Sequence, residues 1–207
     1  MIKIVNKTKY ILEIGEIDKI EGDVLFLWTT QNLNSGDATF IKVHKEAGSM
    51  LYEQCMNAAI KYGTTDENDQ KSIPVGQAII TDAGKLDFYN IIHCVLPNYR
   101  FAEQRNKRET IFSNVLYLGV ELAKAYGDAS YKLNSAFFTP IPSVVYGEVK
   151  EEDIKVFFRT LFKISDFKKL HIVCATEEEY KKYTKVFSKL TQSVWEKWIN
   201  KIFKFKF

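Results

Sequence analysis

Five apolar residues stand in a row, Val24-Leu25-Phe26-Leu27-Trp28, directly after Asp23. A strand with one wet face alternates apolar and polar side chains, whereas a short unbroken run suits a strand covered on both faces. The rest of the chain supplies the cover. Ile2 to Val5, Tyr10 to Ile14, Gln77 to Thr81, Tyr89 to Val95, Ser135 to Phe138 and Lys169 to Cys174 read as further strands. Phe40, Val43, His44, Ala47, Leu51, Cys55 and Ala59 recur at helical spacing, with a break near Gly48-Ser49. Ala102 to Tyr126 reads as a long amphipathic helix with Gly127 as its stop, and Glu151 to Phe162 as a helix with an acidic first turn. Another helix opens at Glu177. Strands alternating with helices from residue 24 onward predict a three-layer α/β/α fold, a mixed, mostly parallel sheet flanked by helices. Ligands on such sheets bind beyond the carboxyl ends of the strands. Two loops stand there, Thr29 to Ala38 and Thr139 to Gly147.

The 207 residues suit one domain, and 46% hydrophobic residues are enough to fill its core. No repeat or linker divides them, so 1–207 is read as a single unit, with a core of about 10–175 and a helical extension over 176–207. Tyr62 to Ser72 is polar and turn-rich, a surface loop. A net charge of +3 argues against a nucleic-acid partner. Cys55, Cys94 and Cys174 are odd in number and scattered, which points away from a disulfide framework and toward a reducing compartment. No spacing resembles a zinc site, and neither a metal nor a cofactor is expected. The first residues lack the apolar run of a secretion signal, and no stretch approaches the ~18 apolar residues of a membrane span. A cytoplasmic location is the expectation. His93 and His171, each alone in an apolar strand, read as scaffold residues.

The motifs, taken in register, resemble the macro domain family, whose members hold ADP-ribose. The family opening Gly-Asp-Ile-Thr resembles Gly15-Glu16-Ile17-Asp18; the resemblance implies that Glu16 accepts from the adenine amino group and that Ile17 packs on the base. The family's Asn-Ala-Ala-Asn falls on Leu27, Trp28, Thr29 and Thr30, where Thr30 keeps a hydroxyl and Leu27 and Trp28 have no acid or base to offer. Asn32 follows in the same loop. The family's glycine run falls on Ser35, Gly36, Asp37 and Ala38. There Asp37 either faces a ligand or caps the helix that follows. Phe40 to Gly48, Ile73 to Thr81 and Tyr89 to Pro97 match scaffold elements of the family. The second ligand loop is matched by Thr139-Pro140-Ile141-Pro142-Ser143-Val144-Val145-Tyr146-Gly147. Tyr146 is expected near the distal ribose, and Gly147 is expected to let the chain turn. Val144 replaces a glycine, and a β-branched residue resists positive φ, so either this loop differs from the family's or the diphosphate sits further out.

The resemblance covers about residues 10 to 175 and implies that Pro140, Ser143, Val144, Val145, Tyr146 and Gly147 complete the ligand site. It implies a binder of ADP-ribose or an ADP-ribose-derived signal, of the kind sensed in bacterial Thoeris-type antiviral systems, with no catalytic residue. Asp37 would then face a cationic substituent. Two alternatives stand. One is a hydrolase that removes ADP-ribose by a substrate-assisted route. The other is an interaction module whose pocket is closed, which Trp28 and Val144 would favour. Val186, Leu190, Val194, Trp195, Trp198, Ile202 and Phe203 share a helical face. That face over 180–207 closes the sheet, contacts a partner domain or second copy, or lies on a membrane surface.

Overall fold

The computed structural model describes residues 1–34, 36–65, 71–96, 108–130, 133–164 and 167–192. Two strands open the chain, β1 (Ile2–Val5) and β2 (Thr8–Ile14), followed by a single 3-10 turn, Ile17–Lys19. Then come β3 (Gly22–Thr29), α1 (Ala38–Ala47), α2 (Ser49–Tyr62), β4 (Thr64–Thr65), β5 (Lys71–Ser72), β6 (Ala78–Asp82) and β7 (Phe88–Val95). The second half holds α3 (Arg108–Ser130), β8 (Ser135–Phe138), α4 (Ser143–Tyr146), α5 (Glu151–Ile164), β9 (Lys169–Cys174) and α6 (Glu177–Thr191).

The apolar run in β3 divides between two cores. Val24, Phe26 and Trp28 point to one face of the sheet, with Phe112, Val115 and Leu116 of α3, Phe157 and Phe158 of α5 and Phe187 of α6. Leu25 and Leu27 point to the other, with Phe40 and Val43 of α1 and Leu51 and Cys55 of α2. Both faces are dry, which is why alternation is absent from the sequence. The sheet runs β1-β2-β9-β8-β3-β7-β6. The inner pairs β2–β9, β9–β8, β8–β3 and β3–β7 are parallel, and the outer pairs β1–β2 and β6–β7 antiparallel. This is the mixed, mostly parallel sheet expected.

Details differ from the sequence reading where tertiary packing decides. Gly127 does not stop α3, which runs on to Ser130. A Cβ at 127 would stand 2.7 Å from Leu133 Cγ, so the glycine serves a close approach rather than a termination. The start expected for that helix, 102–107, lies outside the described residues. The polar stretch after α2 is not a plain loop, because Thr64 pairs with Ser72 and Thr65 with Lys71 in a two-stranded ribbon. Gly48 makes the break between α1 and α2, with φ +88 and its N–H bonded to the His44 carbonyl. His93 is fully buried, as a scaffold residue should be. His171 is half-buried, its ring stacked on Phe137 and its Nδ1 2.6 Å from Glu13 Oε1. The three cysteines are free and buried. Among the described residues no helix is long and apolar enough to cross a membrane. Of the aromatic tail, α6 buries Tyr183, Val186 and Phe187 against the sheet and α5, and 193–207 lie outside the described residues.

Candidate functional site

Because β2, β9 and β8 are parallel neighbours, their carboxyl ends open on one side. The segments leaving them, Gly15 to Asp18, Ala175 and Thr139-Pro140, line a cleft of about 270 Å³ together with Val173. Asp37, Ala38, Thr39 and Lys42 of the α1 start and Glu179 of α6 complete the wall. Ile17, 3% exposed, gives it an apolar floor.

Charge is the cleft's dominant property. Glu16 is half-exposed and pairs with Lys19 and Lys42, whose ammonium groups pull its carboxyl down to about 2. The Asp18 side chain is only 4% exposed. Lys42 Nζ lies 3.1 Å from Asp18 Oδ1, so this buried oxygen has an ionic partner. Glu16 and Asp18 together hold the Lys42 ammonium above its usual range.

Two helix starts face the cleft, and each already carries a carboxylate. Asp37 accepts from the Phe40 amide at 2.9 Å, so the capping alternative is the one adopted; burial pushes its carboxyl up. Glu179 accepts from the Ala175 amide at 3.0 Å and the Thr176 amide at 3.3 Å, while Thr176 Oγ1 accepts from the Glu179 amide. That is a reciprocal capping box. Replacing Asp37 by alanine is expected to cost about 1 kcal/mol of folding stability, read as a lower urea midpoint at unchanged m-value.

The sequence-derived site is brought together only in part. Glu16, Ile17, Asp37, Ala38 and Pro140 meet in the cleft. Thr29 is fully buried, Thr30 half-buried with its carbonyl accepting from the Leu33 amide, and Asn32 exposed; none of the three lines the cleft. Gly36 is a glycine for packing, since a Cβ there would lie 2.4 Å from Phe40 Cβ. Ser35 lies outside the described residues. Ser143 is exposed at the start of α4. Val144 and Val145 stand in its helical backbone, so the loop closes as a helical turn and the left-handed step passes to Gly147, φ +85. This is how a β-branched residue is tolerated at the family's glycine position.

Tyr146 requires a correction. Its ring is 1% exposed and edge-on to Phe112 at 5.7 Å, and its hydroxyl donates to Asp153 Oδ1 at 3.1 Å. The α4 turn directs it into the core, away from the cleft. Trp28 does not close the cleft either, because its indole faces α3 and donates to the Thr139 carbonyl at 2.9 Å. Residues missed by the sequence reading are Gly15, Asp18, Thr39, Lys42, Thr139, Val173, Ala175 and Glu179. Lys42 had a signal in the sequence, being one helical turn after Ala38 on the same face. Glu179 had none, since it comes from an element beyond the matched motifs.

Comparison with known proteins agrees with this geometry. The family model described as Macro domain matches residues 30–157. A macro domain-containing protein of Listeria monocytogenes is 28% identical over 178 residues, covering 83% of this chain and 93% of the relative. A protein of Escherichia fergusonii named O-acetyl-ADP-ribose deacetylase is 27% identical over 179 residues, covering 83% and 91%. Among solved structures, a variant of the Oceanobacillus iheyensis macrodomain with ADPR superposes at TM-score 0.78 with 24% identity, over 93% of this chain and 99% of the other.

Proposed function

The chain belongs to the macro domain family, and from that premise we propose that its cleft binds ADP-ribose or a close derivative and leaves it chemically unchanged. One observation carries the reading. Asp18 presents a buried carboxylate oxygen, held by the Lys42 ammonium alone at 3.1 Å, beside the apolar floor of Ile17. An acceptor next to an apolar surface is what an adenine needs, with its amino group to donate and its ring to stack. Glu16, the acceptor suggested by the motif alone, is half-exposed and paired with two lysines, whereas Asp18 is buried and shares only Lys42, so the adenine role is assigned to Asp18. The start of α1 and Lys42 lie beside the cleft and bring partial and full positive charge toward a diphosphate, charge that Asp37, Glu16 and Asp18 already share. Solved relatives with ADPR and with ADP support the same ligand class.

Calorimetry with ADP-ribose on the full chain tests this. The expected result is one site with a Kd of roughly 1–100 μM; no heat at millimolar ligand would sink the reading. The finer reading, an ADP-ribose signal with a cationic substituent, rests on Asp37 and Glu179 at the cleft wall. Arginine-conjugated ADP-ribose should then bind more tightly than ADP-ribose, and equal affinities would remove that refinement while leaving the first reading intact.

A hydrolytic role is favoured by the name of the Escherichia fergusonii relative. Against it, the positions of the family asparagines at the end of β3 hold the buried Leu27 and the half-buried Thr30, neither of which lines the cleft. Incubation with O-acetyl-ADP-ribose decides, since acetate release over many turnovers would replace binding by catalysis.

A further inference from the structure

On the other side of β7 from α3, three side chains converge that the cleft does not use. His44 comes from the last turn of α1, Cys55 from the middle of α2, and His93 from β7. One ligating atom from each lies within 4.8 Å of the other two, the sole such group of three among the described residues. Cys55 Sγ and His93 Nε2 are 3.7 Å apart. Two ligands of a tetrahedral zinc, with Zn–S about 2.3 Å and Zn–N about 2.0–2.1 Å, stand roughly 3.5–3.6 Å apart.

A purely structural triad would satisfy its nitrogens, and this one does not. His93 Nε2 has Thr81 Oγ1 at 2.9 Å, yet His44 Nε2 is buried without any partner. Native interiors rarely leave such atoms unpaired without a reason.

We propose that His44, Cys55 and His93 form a binding site for a borderline or soft transition-metal cation of the Zn²⁺ class. Thiolate with imidazole is the donor set such ions select. Binding breaks the Cys55 S–H bond and forms a metal–sulfur bond, and the proton leaves to solvent, so one Zn²⁺ entering gives a singly charged complex and one released H⁺. His44 is the half-exposed member, and the ion enters from its side. The fourth position falls to water or to the Thr81 hydroxyl. The ligands come from two helices and a strand, so the ion would pin the α1–α2 pair to the sheet independently of the nucleotide cleft.

The test uses the reduced, chelator-treated full chain. Equilibrium dialysis against Zn²⁺ is expected to retain one equivalent, and titration with Co²⁺ to give a thiolate-to-cobalt charge-transfer band. Cys55→Ser and His44→Asn should each weaken Zn²⁺ binding at least ~10-fold, whereas Cys174→Ser, in the opposite core, should not. If Cys55→Ser fails to fold, the half-exposed His44→Asn decides alone. Retention well below one equivalent, absence of the thiolate band, or unchanged affinity in the folded ligand variants would overturn the proposal.

Discussion

Replacing Trp28 by alanine should destabilise the protein by about 3–5 kcal/mol, a large share of the ~5–15 kcal/mol typical of a domain. The indole is 1% exposed and stacks on Phe112 with ring centroids 5.5 Å apart. Phe138 and Phe157 close the space around it at 6.4 and 6.2 Å. A cavity bounded by strands and two helices has little room to collapse, so most of the loss persists. The same change also strips the Thr139 carbonyl of its donor. Trp28→Phe keeps most of the volume and loses the hydrogen bond with a smaller cavity, for an expected cost of about 1–3 kcal/mol. Thr139 and Pro140 form a wall of the cleft, so the phenylalanine variant should also lose ligand affinity out of proportion to its stability. Thermal denaturation and calorimetry on both variants check this. Equal stability of Trp28→Ala and the parent would contradict the packing described.

Asp18→Asn is expected to weaken ADP-ribose binding by about 10- to 100-fold, roughly 1.4–2.7 kcal/mol. The side chain is 4% exposed, so water cannot replace a lost partner. The amide is uncharged, keeps only one acceptor oxygen where the carboxylate has two, and weakens the hold on Lys42. Glu16→Gln is the matched comparison. That carboxylate is half-exposed and held by two lysines, so a change of less than about 3-fold is expected from a surface pair of this kind. If the two variants weaken binding equally, or if Glu16→Gln weakens it more, the adenine does not sit on Asp18.

The layer order was readable because β3 declares it. A strand apolar on both faces needs two covers, and Phe40 to Ala59 and the later helices supply them. The cleft was readable only where a single segment carries it. Glu16-Ile17, Asp37-Ala38 and Pro140 are short turns after strand ends, and such turns keep a motif in linear order. Lys42 and Glu179 reach the same space from a helix face and from a separate helix start, far in sequence from the turns that form the rest of the wall. Tyr146 went astray for a related reason. Its position in a loop motif does not say which way a helical turn will aim it, and four residues of helix in place of a glycine loop turned it to Asp153. The His44, Cys55 and His93 group was invisible because two helices and a strand meet only through packing, and no linear spacing records that.

The pairing of β2 with β9 sets when this cleft comes into being. Thr8–Ile14 waits for Lys169–Cys174, and Gly15 closes the seam by donating its amide to the Cys174 carbonyl at 3.0 Å. Contacts of such long sequence separation form late, because the entropy of closing the loop is lost before they return anything. A nascent chain that ends before Lys169 can join β3, β7 and β8 but has neither Ala175 nor Glu179 to complete the wall. The cleft is therefore complete only once β9 and the start of α6 have joined the sheet.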